Sequence, residues 1–306
     1  MTLISTSTAA FYDRAKNDMA TLQKRAESLQ QQLSGGDKLE RSSDDPVAAS
    51  RLRVLSRSDT LSNIDSSNAD RANADLSLAD SALSTFADYV QQAQELANSA
   101  ATGTLTDDQR ASIGYQVQQI YGNLVSLANS RDSNGHSLFG GESAGDAYTL
   151  DGSGNATYVG TASAGDLPLG DGQSISRGLT GPDFLNFSVN GTPTNLLAVV
   201  KGLADDLQGG SSDPQTAARD GMTALSAGLN AVTTGQTLVG SRLNWIELTG
   251  TRRTNLGELR ATEENTIGAT DLPSTIADLQ QTMTVLQASQ ASFAKLSSLS
   301  LFNVLS

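Results

Sequence analysis

The chain has 306 residues, of which 38% are hydrophobic and only 5% aromatic, with no cysteine and a net charge of −13. The absence of cysteine excludes disulfides, thiolate catalysis and cysteine-ligated zinc, and the acidic balance disfavours nucleic acid, whose phosphates need a basic face. No apolar run approaches the roughly 18 residues of a membrane span, and Met1 to Ala10 lacks the basic start and apolar core of a cleaved signal peptide. Apolar content this low is thin for compact domains and favours a long, narrow shape.

From about Thr8 to Gln32 the apolar side chains Tyr12, Ala15, Met19, Leu22, Ala26, Leu29 and Leu33 step by three and four, a coiled-coil seam, with Ser34-Gly35-Gly36 as its stop. Asp37 to Pro46 reads DKLERSSDDP, an extended linker in which Asp44 or Asp45 caps a new helix and Pro46 takes its first position. That helix has neither Gly nor Pro from Val47 to Ala101 and carries the stripe Ala72, Leu76, Ala79, Leu83, Phe86, Val90, Ala93, Ala97 and Ala100. At about 1.5 Å per residue it would be about 80 Å long.

Thr106 and Gln109 form a capping-box pattern that opens a third helix, with Ile113, Val117, Ile120, Leu124 and Leu127 on one face. Around Ser133 glycine crowds in, and Ala147–Leu150, Asn155–Val159, Gln173–Ser176 and Phe184–Val189 read as strands, the last meeting the hairpin signal Asn190-Gly191. A short helix over Asn195–Leu207 closes this β-rich insertion. Asp213-Pro214 then repeats the cap-plus-proline signature and opens a long helix with the seam Met222, Leu225, Leu229, Val232, Gln236, Val239, Leu243 and Ile246. Beside that seam stand Gly221, Gly228 and Gly235, a column that fits either a close approach or simple tolerance of glycine. Glu264 to Pro273 breaks the period as a second linker, and a last helix carries Ile276, Leu279, Met283, Leu286, Gln290 and Phe293.

The order is nested, so the two halves of the chain run side by side. Four basic residues face three acidic ones over residues 1–36, one of each sign stands in 272–306, and nine acidic residues face two basic ones over 132–211. Near-neutral ends suit packing against many copies, while the middle of the chain suits solvent. The expected fold class is mainly α: a long antiparallel coiled-coil or helical-bundle rod with paired N- and C-terminal helices and a small β-rich insertion. The expected domains are 1–36 with 273–306, linkers 37–46 and 264–272, a helical rod of 47–131 with 212–263, and an outer β-rich domain of 132–211. The seams alone leave open whether the terminal helices pack inside one globular core or form a pair with apolar surface to spare.

Chemistry is hard to find. The single histidine, His136, lies in a polar turn, and Gly141-Glu142-Ser143-Ala144-Gly145 matches a nucleophile elbow but follows that histidine instead of preceding one. Asp151, Ser153 and Asn155 imitate a calcium loop, yet Ala156 and Ala162 stand where glycine and glutamate are required. No catalytic residue, cofactor or metal site is expected, and the protein is expected not to be an enzyme.

The neutral N-terminal helix, the stretch Ser43-Asp44-Asp45-Pro46-Val47-Ala48-Ala49, the helical run from Leu76 to Arg131 and the closing Ser298-Leu299-Ser300-Leu301-Phe302 resemble the flagellin family, and more closely its hook-associated members. The resemblance covers about 45 residues at each end plus that helical run, and the β-rich part is not diagnostic. It implies a structural adaptor between hook and filament that assembles as a helical homo-oligomeric layer. Its partners would be a neighbouring hook-associated protein below and flagellin above, with room for an export chaperone and none for nucleic acid or membrane. It also implies an extracellular place in the bacterial flagellum, reached without a cleaved signal peptide. A filament-forming flagellin is the alternative, and a secreted coiled-coil adhesin a remote one. Pro273 departs from the family pattern and is expected to shorten the last helix.

Overall fold

The computed structural model describes residues 2–39 and 41–305, with side chains from 10 to 296. Its elements are α1 (Thr2–Gly35), α2 (Pro46–Ala100), α3 (Asp107–Ala128), β1 (Tyr148–Leu150), β2 (Ala156–Tyr158), β3 (Asp166–Gly170), β4 (Gln173–Ser176), α4 (Gly181–Leu185), β5 (Asn186–Val189), β6 (Thr192–Asn195), α5 (Leu196–Asp205), a π-helical turn (Asp206–Gly210), α6 (Pro214–Gly268) and α7 (Leu272–Leu305). They group into two compact units, one of residues 61–254 and one of residues up to 60 together with those from 255. The fold is mainly α, with paired terminal helices and a small β-rich insertion.

In the 61–254 unit the whole expected stripe of α2, from Ala72 to Ala100, is at most 1% exposed. Val117 and Leu124 of α3, Val200 of α5 and Leu225, Val232 and Val239 of α6 are equally buried and belong to the same core. At its centre Phe86, Phe139 and Phe184 meet with ring centroids 4.8–6.3 Å apart, within the range in which edge-on and tilted rings attract.

The turn from α2 to α3 shows how buried helix ends are satisfied. Arg110 is 8% exposed. It donates through Nε to the Ala100 carbonyl at 3.1 Å and through a terminal nitrogen to that of Thr102 at 3.0 Å, while Gln215 of α6 donates to Ala101 at 2.9 Å. Three consecutive carbonyls, the last of α2 and two in the turn beyond it, thus accept from side chains. The expected capping box of Thr106 and Gln109 is formed, with Asp107 and Asp108 in the favourable first turn.

The glycine column of α6 is a close approach, made by the insertion. A Cβ on Gly221 would lie 2.9 Å from Leu203, one on Gly228 2.6 Å from Leu196 and one on Gly235 2.8 Å from the Cβ of Phe184. Those partners come from α5 and α4, so the bare backbone of α6 receives the insertion. Gly114 does the same for α3, where an added Cβ would sit 3.0 Å from the Ala204 carbonyl.

The insertion holds three separate antiparallel hairpins, β1–β2, β3–β4 and β5–β6. Two expectations are corrected here. Residues 184 and 185, read as strand, end α4, where Pro182 and the pairing of the Thr180 N–H with Asp183 at 2.7 Å favour a helical turn. Strands β3 and β6 went unforeseen because each contains a proline, Pro168 and Pro193, a residue that argues against a strand unless the strand has a free edge. The hairpin at Asn190-Gly191 has φ of 51° and 80°, the left-handed pair its tight turn demands.

Gly235→Ala should lower the unfolding free energy by about 1 kcal/mol, because crowding against the buried Phe184 outweighs the gain in helix propensity. Gly240→Ala, with nothing within 4 Å, should raise it by about 0.5–1 kcal/mol. Arg110→Met should cost about 1–2 kcal/mol by leaving the buried Ala100 carbonyl unpaired. Urea denaturation followed by circular dichroism measures all three.

Candidate assembly surface of the terminal helices

The second unit is built around α1 and α7. They run antiparallel: Tyr12 stacks edge-on against Phe293 at 5.3 Å and donates its hydroxyl to the Leu296 carbonyl at 3.3 Å, and further along Arg25 lies 4.0 Å from Asp278. On α1 the less exposed positions include Tyr12, Ala15, Met19, Leu22, Leu29 and Leu33, all half-buried, and the buried Ala26.

On α7 the covered column differs from the apolar stripe. Leu279, Leu286 and Phe293 are covered, but their partners are Thr275, Thr282 and Ser289, whereas Ile276 is 45% exposed, Met283 37% exposed and Gln290 exposed. Ile276 and Met283, expected in the seam, thus lie outside the column that is covered here. Counting back by three and four from Phe293 yields 289, 286, 282, 279 and 275, one column of a heptad. The apolar stripe is wider than one partner helix can cover, and hydroxyl side chains fill the inner edge. The side chains of the closing motif, residues 298–302, lie outside the described residues.

The two linkers are tied to each other. Asp37 and Ala269 form an antiparallel bridge, with Lys38 N donating to the Gly268 carbonyl at 2.7 Å and Thr270 N to that of Gly36 at 2.8 Å. Gly36, at φ 77°, turns the chain out of α1. Asp45 caps α2, accepting from the Val47 and Ala48 N–H groups at 3.1 and 3.0 Å, with Pro46 at the first position. Asp44 takes another role, closing the turn by accepting from Arg41 N at 2.9 Å, and the Ser43 hydroxyl donates to it at 3.4 Å. The second break is shorter than expected: α6 continues to Gly268, so only residues 269–271 are non-helical. Pro273 does not shorten α7, because in the first turn its missing N–H has no helical partner to lose. Beyond the linkers, Arg51 and Glu263 form a bidentate pair at 2.5 and 2.8 Å, and this hydrogen bonding holds the Glu263 carboxyl below its ordinary range.

Apolar surface in this unit is distributed unusually. Among the described residues its buried apolar side chains are Ala26, Ala49, Leu55 and Leu286, while Phe11, Val47, Val54, Leu256, Leu259, Leu272, Ile276, Met283, Val285 and Leu296 are 37–80% exposed. Ten large apolar side chains thus stand in solvent against four buried apolar ones.

The motifs that imitate catalytic and calcium sites take structural positions. Asp151 closes the β1–β2 turn, accepting from the N–H groups of Ser153 and Asn155. Gly141–Gly145 is a turn without a preceding strand, and the Ser143 hydroxyl accepts from Gly145 N. His136, 55% exposed, lies 3.4 Å from Asp132, whose side chain is 3% exposed. Burial opposes the charge on Asp132, yet N–H groups of His136 and Asn134 and the His136 ring leave its carboxyl below its ordinary value. Arg177 bridges it to Asp75 of α2 at 3.2 and 3.0 Å, locking the insertion to the helices. Among the described residues no group of three metal-ligating side chains occurs, and no helix is long and apolar enough to cross a membrane.

With this geometry, residues 4–144 match the bacterial flagellin N-terminal helical region. That match spans a little under half of the chain. The chain is also 34% identical over 135 residues to flagellar hook-associated protein 3 of Salmonella typhimurium, a match covering 44% of this chain and 43% of that relative. A candidate flagellar hook-associated protein from Vibrio parahaemolyticus superposes with a TM-score of 0.67 at 20% identity, covering 74% of this chain and all of that one. Hook-associated protein 3 of Legionella pneumophila does so with a TM-score of 0.63 at 14% identity, covering 70% of this chain and 98% of its own. At such identities the likeness is one of fold, and it is the mainly-α architecture that the chain shares with these proteins.

Because the Asp132 carboxyl is held low in the fold, its contribution to stability is full above the ordinary carboxylate pKa of about 3.9 and is lost as pH falls through the lower folded value. Asp132→Asn should therefore lower the urea midpoint at neutral pH and flatten its fall on acidification. A pH series of midpoints for both proteins reads this directly.

Proposed function

We propose that this protein is a non-enzymatic adaptor of the bacterial flagellum, joining hook to filament as a self-assembled helical layer. The observation that carries the proposal is the apolar surface of the α1/α7 unit, with ten large side chains exposed and four apolar ones buried. Such a unit gains most of its burial only when other subunits arrive, and heterologous contacts between identical copies generate a helical layer when they do not close into a ring. The flagellin-type region and the likeness to hook-associated proteins favour this use of the surface.

In this proposal residues 1–36 with 273–306 form the assembling arm, 47–131 with 212–263 the helical body and 132–211 the outer domain. The arm's seam comprises Tyr12, Ala15, Met19, Leu22, Ala26, Leu29 and Leu33 with Leu279, Leu286 and Phe293, and Ile276 and Met283 contact the next subunit. A hook-associated protein lies on one side and flagellin on the other, and export proceeds without a cleaved signal, with an export chaperone as a further partner. A filament-forming flagellin is the second reading, favoured by the match of residues 4–144 to the flagellin region itself.

Deletion of the gene in its host should leave hooks intact and release flagellin monomers into the medium, whereas bare hooks without released flagellin would identify the filament protein. Met283→Asp should leave the monomer's urea midpoint unchanged and abolish incorporation into flagella. Trypsin should cut the monomer at the exposed Lys16, Lys24 and Arg25 before the buried Arg110, and assembly should protect those sites. Equal cleavage rates in monomer and assembly would refute the assembling role of α1.

A further inference from the structure

We propose that Asn190, at the tip of the β5–β6 hairpin, is a site of spontaneous covalent ageing to aspartate and isoaspartate, and that folding directs the reaction there and away from Asn134. The chain has two Asn-Gly pairs, Asn134-Gly135 and Asn190-Gly191, both exposed. Glycine is the residue that favours this chemistry, because without a Cβ its nitrogen can approach the preceding side chain. The Gly nitrogen bonds to Cγ of the asparagine, the Cγ–Nδ2 bond breaks, and ammonia leaves with the proton from that nitrogen. Water then adds to either carbonyl of the five-membered imide, giving aspartate or isoaspartate, with no oxidant or reductant involved.

Ring closure requires the Asn-Gly peptide unit to turn, and the two sites differ in what resists it. Around Asn134 the backbone is held on every side. Gly135 N donates to the Asp132 carbonyl at 3.0 Å, and the N–H groups of Asn134 and His136 both donate to Asp132 Oδ1 at 2.8 Å. The Gly135 carbonyl also accepts from Arg131. The attacking nitrogen is engaged, and its neighbours are anchored on a buried carboxylate. At the hairpin tip, no hydrogen bond holds Gly191 N or the Asn190 side chain among the described residues, and both residues keep left-handed φ of 51° and 80°. An isoaspartyl product would insert an extra methylene into a two-residue turn whose register, Val189 opposite Thr192, depends on its length. It would thereby loosen Phe187, which packs over Gly228.

The test incubates the full chain at mildly alkaline pH, folded and in concentrated urea, and follows each Asn-Gly peptide by mass spectrometry for the shift from asparagine to aspartate. The folded-to-unfolded rate ratio should be smaller at Asn134 than at Asn190, with Asn190 converting first in the folded chain. Asn190→Gln should lose the conversion at that peptide and leave Asn134 as slow as before. Equal ratios at the two sites, or faster conversion of Asn134 in the folded chain, would overturn the proposal.

Discussion

Where the insertion can lie on the helices is set by one contact: the side chains of Leu203, Leu196 and Phe184 entering the column of Gly221, Gly228 and Gly235 on α6. A Cβ at any of the three would force its partner outward, and Phe184 cannot yield without disturbing the ring cluster it shares with Phe86 and Phe139. The glycines cost helix propensity, and that cost is offset by full burial of the apolar side chains they admit. Around this contact the polar ties fall into place. Arg177 reaches both Asp75 and Asp132, Arg242 donates to the Gly178 carbonyl at 2.7 Å, and Arg253 donates to that of Leu169 at 3.1 Å. Each links the insertion to α2, to α6 or to the loop after α3.

The two units differ in the proportion of apolar surface that they bury. The 61–254 unit buries the stripe from Ala72 to Ala100 completely and has a large core, although Leu61, Ile64, Trp245 and Leu248 are among the large apolar side chains it leaves exposed. The α1/α7 unit keeps a core too small for its length and shows the remainder to solvent. A long helical pair has little interior, so its second stripe is either wasted or reserved for another chain. That asymmetry, more than any motif, supports the proposed assembling role.

Much of the fold was legible beforehand. Period and capping chemistry located α2, α3, α5 and the start of α6 to within a few residues, because long amphipathic helices with an acidic or hydroxyl cap and an early proline express their boundaries locally. The hairpin at Asn190-Gly191 was legible for the same reason. The two proline-containing strands were not, since a proline on an edge is compatible with a ladder only when the neighbouring strand lies on the right side. Nor was the inner edge of α7. Ile276 and Met283 are the apolar choice by composition, yet the helix turns Thr275, Thr282 and Ser289 toward its partner.

By itself the sequence determined the period of every long helix, the caps, the absence of cysteine and the neutral ends, because these depend on residue type and spacing alone. Only the tertiary structure decided which of two adjacent stripes on α7 is covered and that α6 continues through most of the second linker. It also decided that the glycine column receives Leu203, Leu196 and Phe184. Each of these turns on the rotation of one helix against a distant neighbour, and a shift of one residue moves a side chain by about 100° around the axis, from contact to solvent.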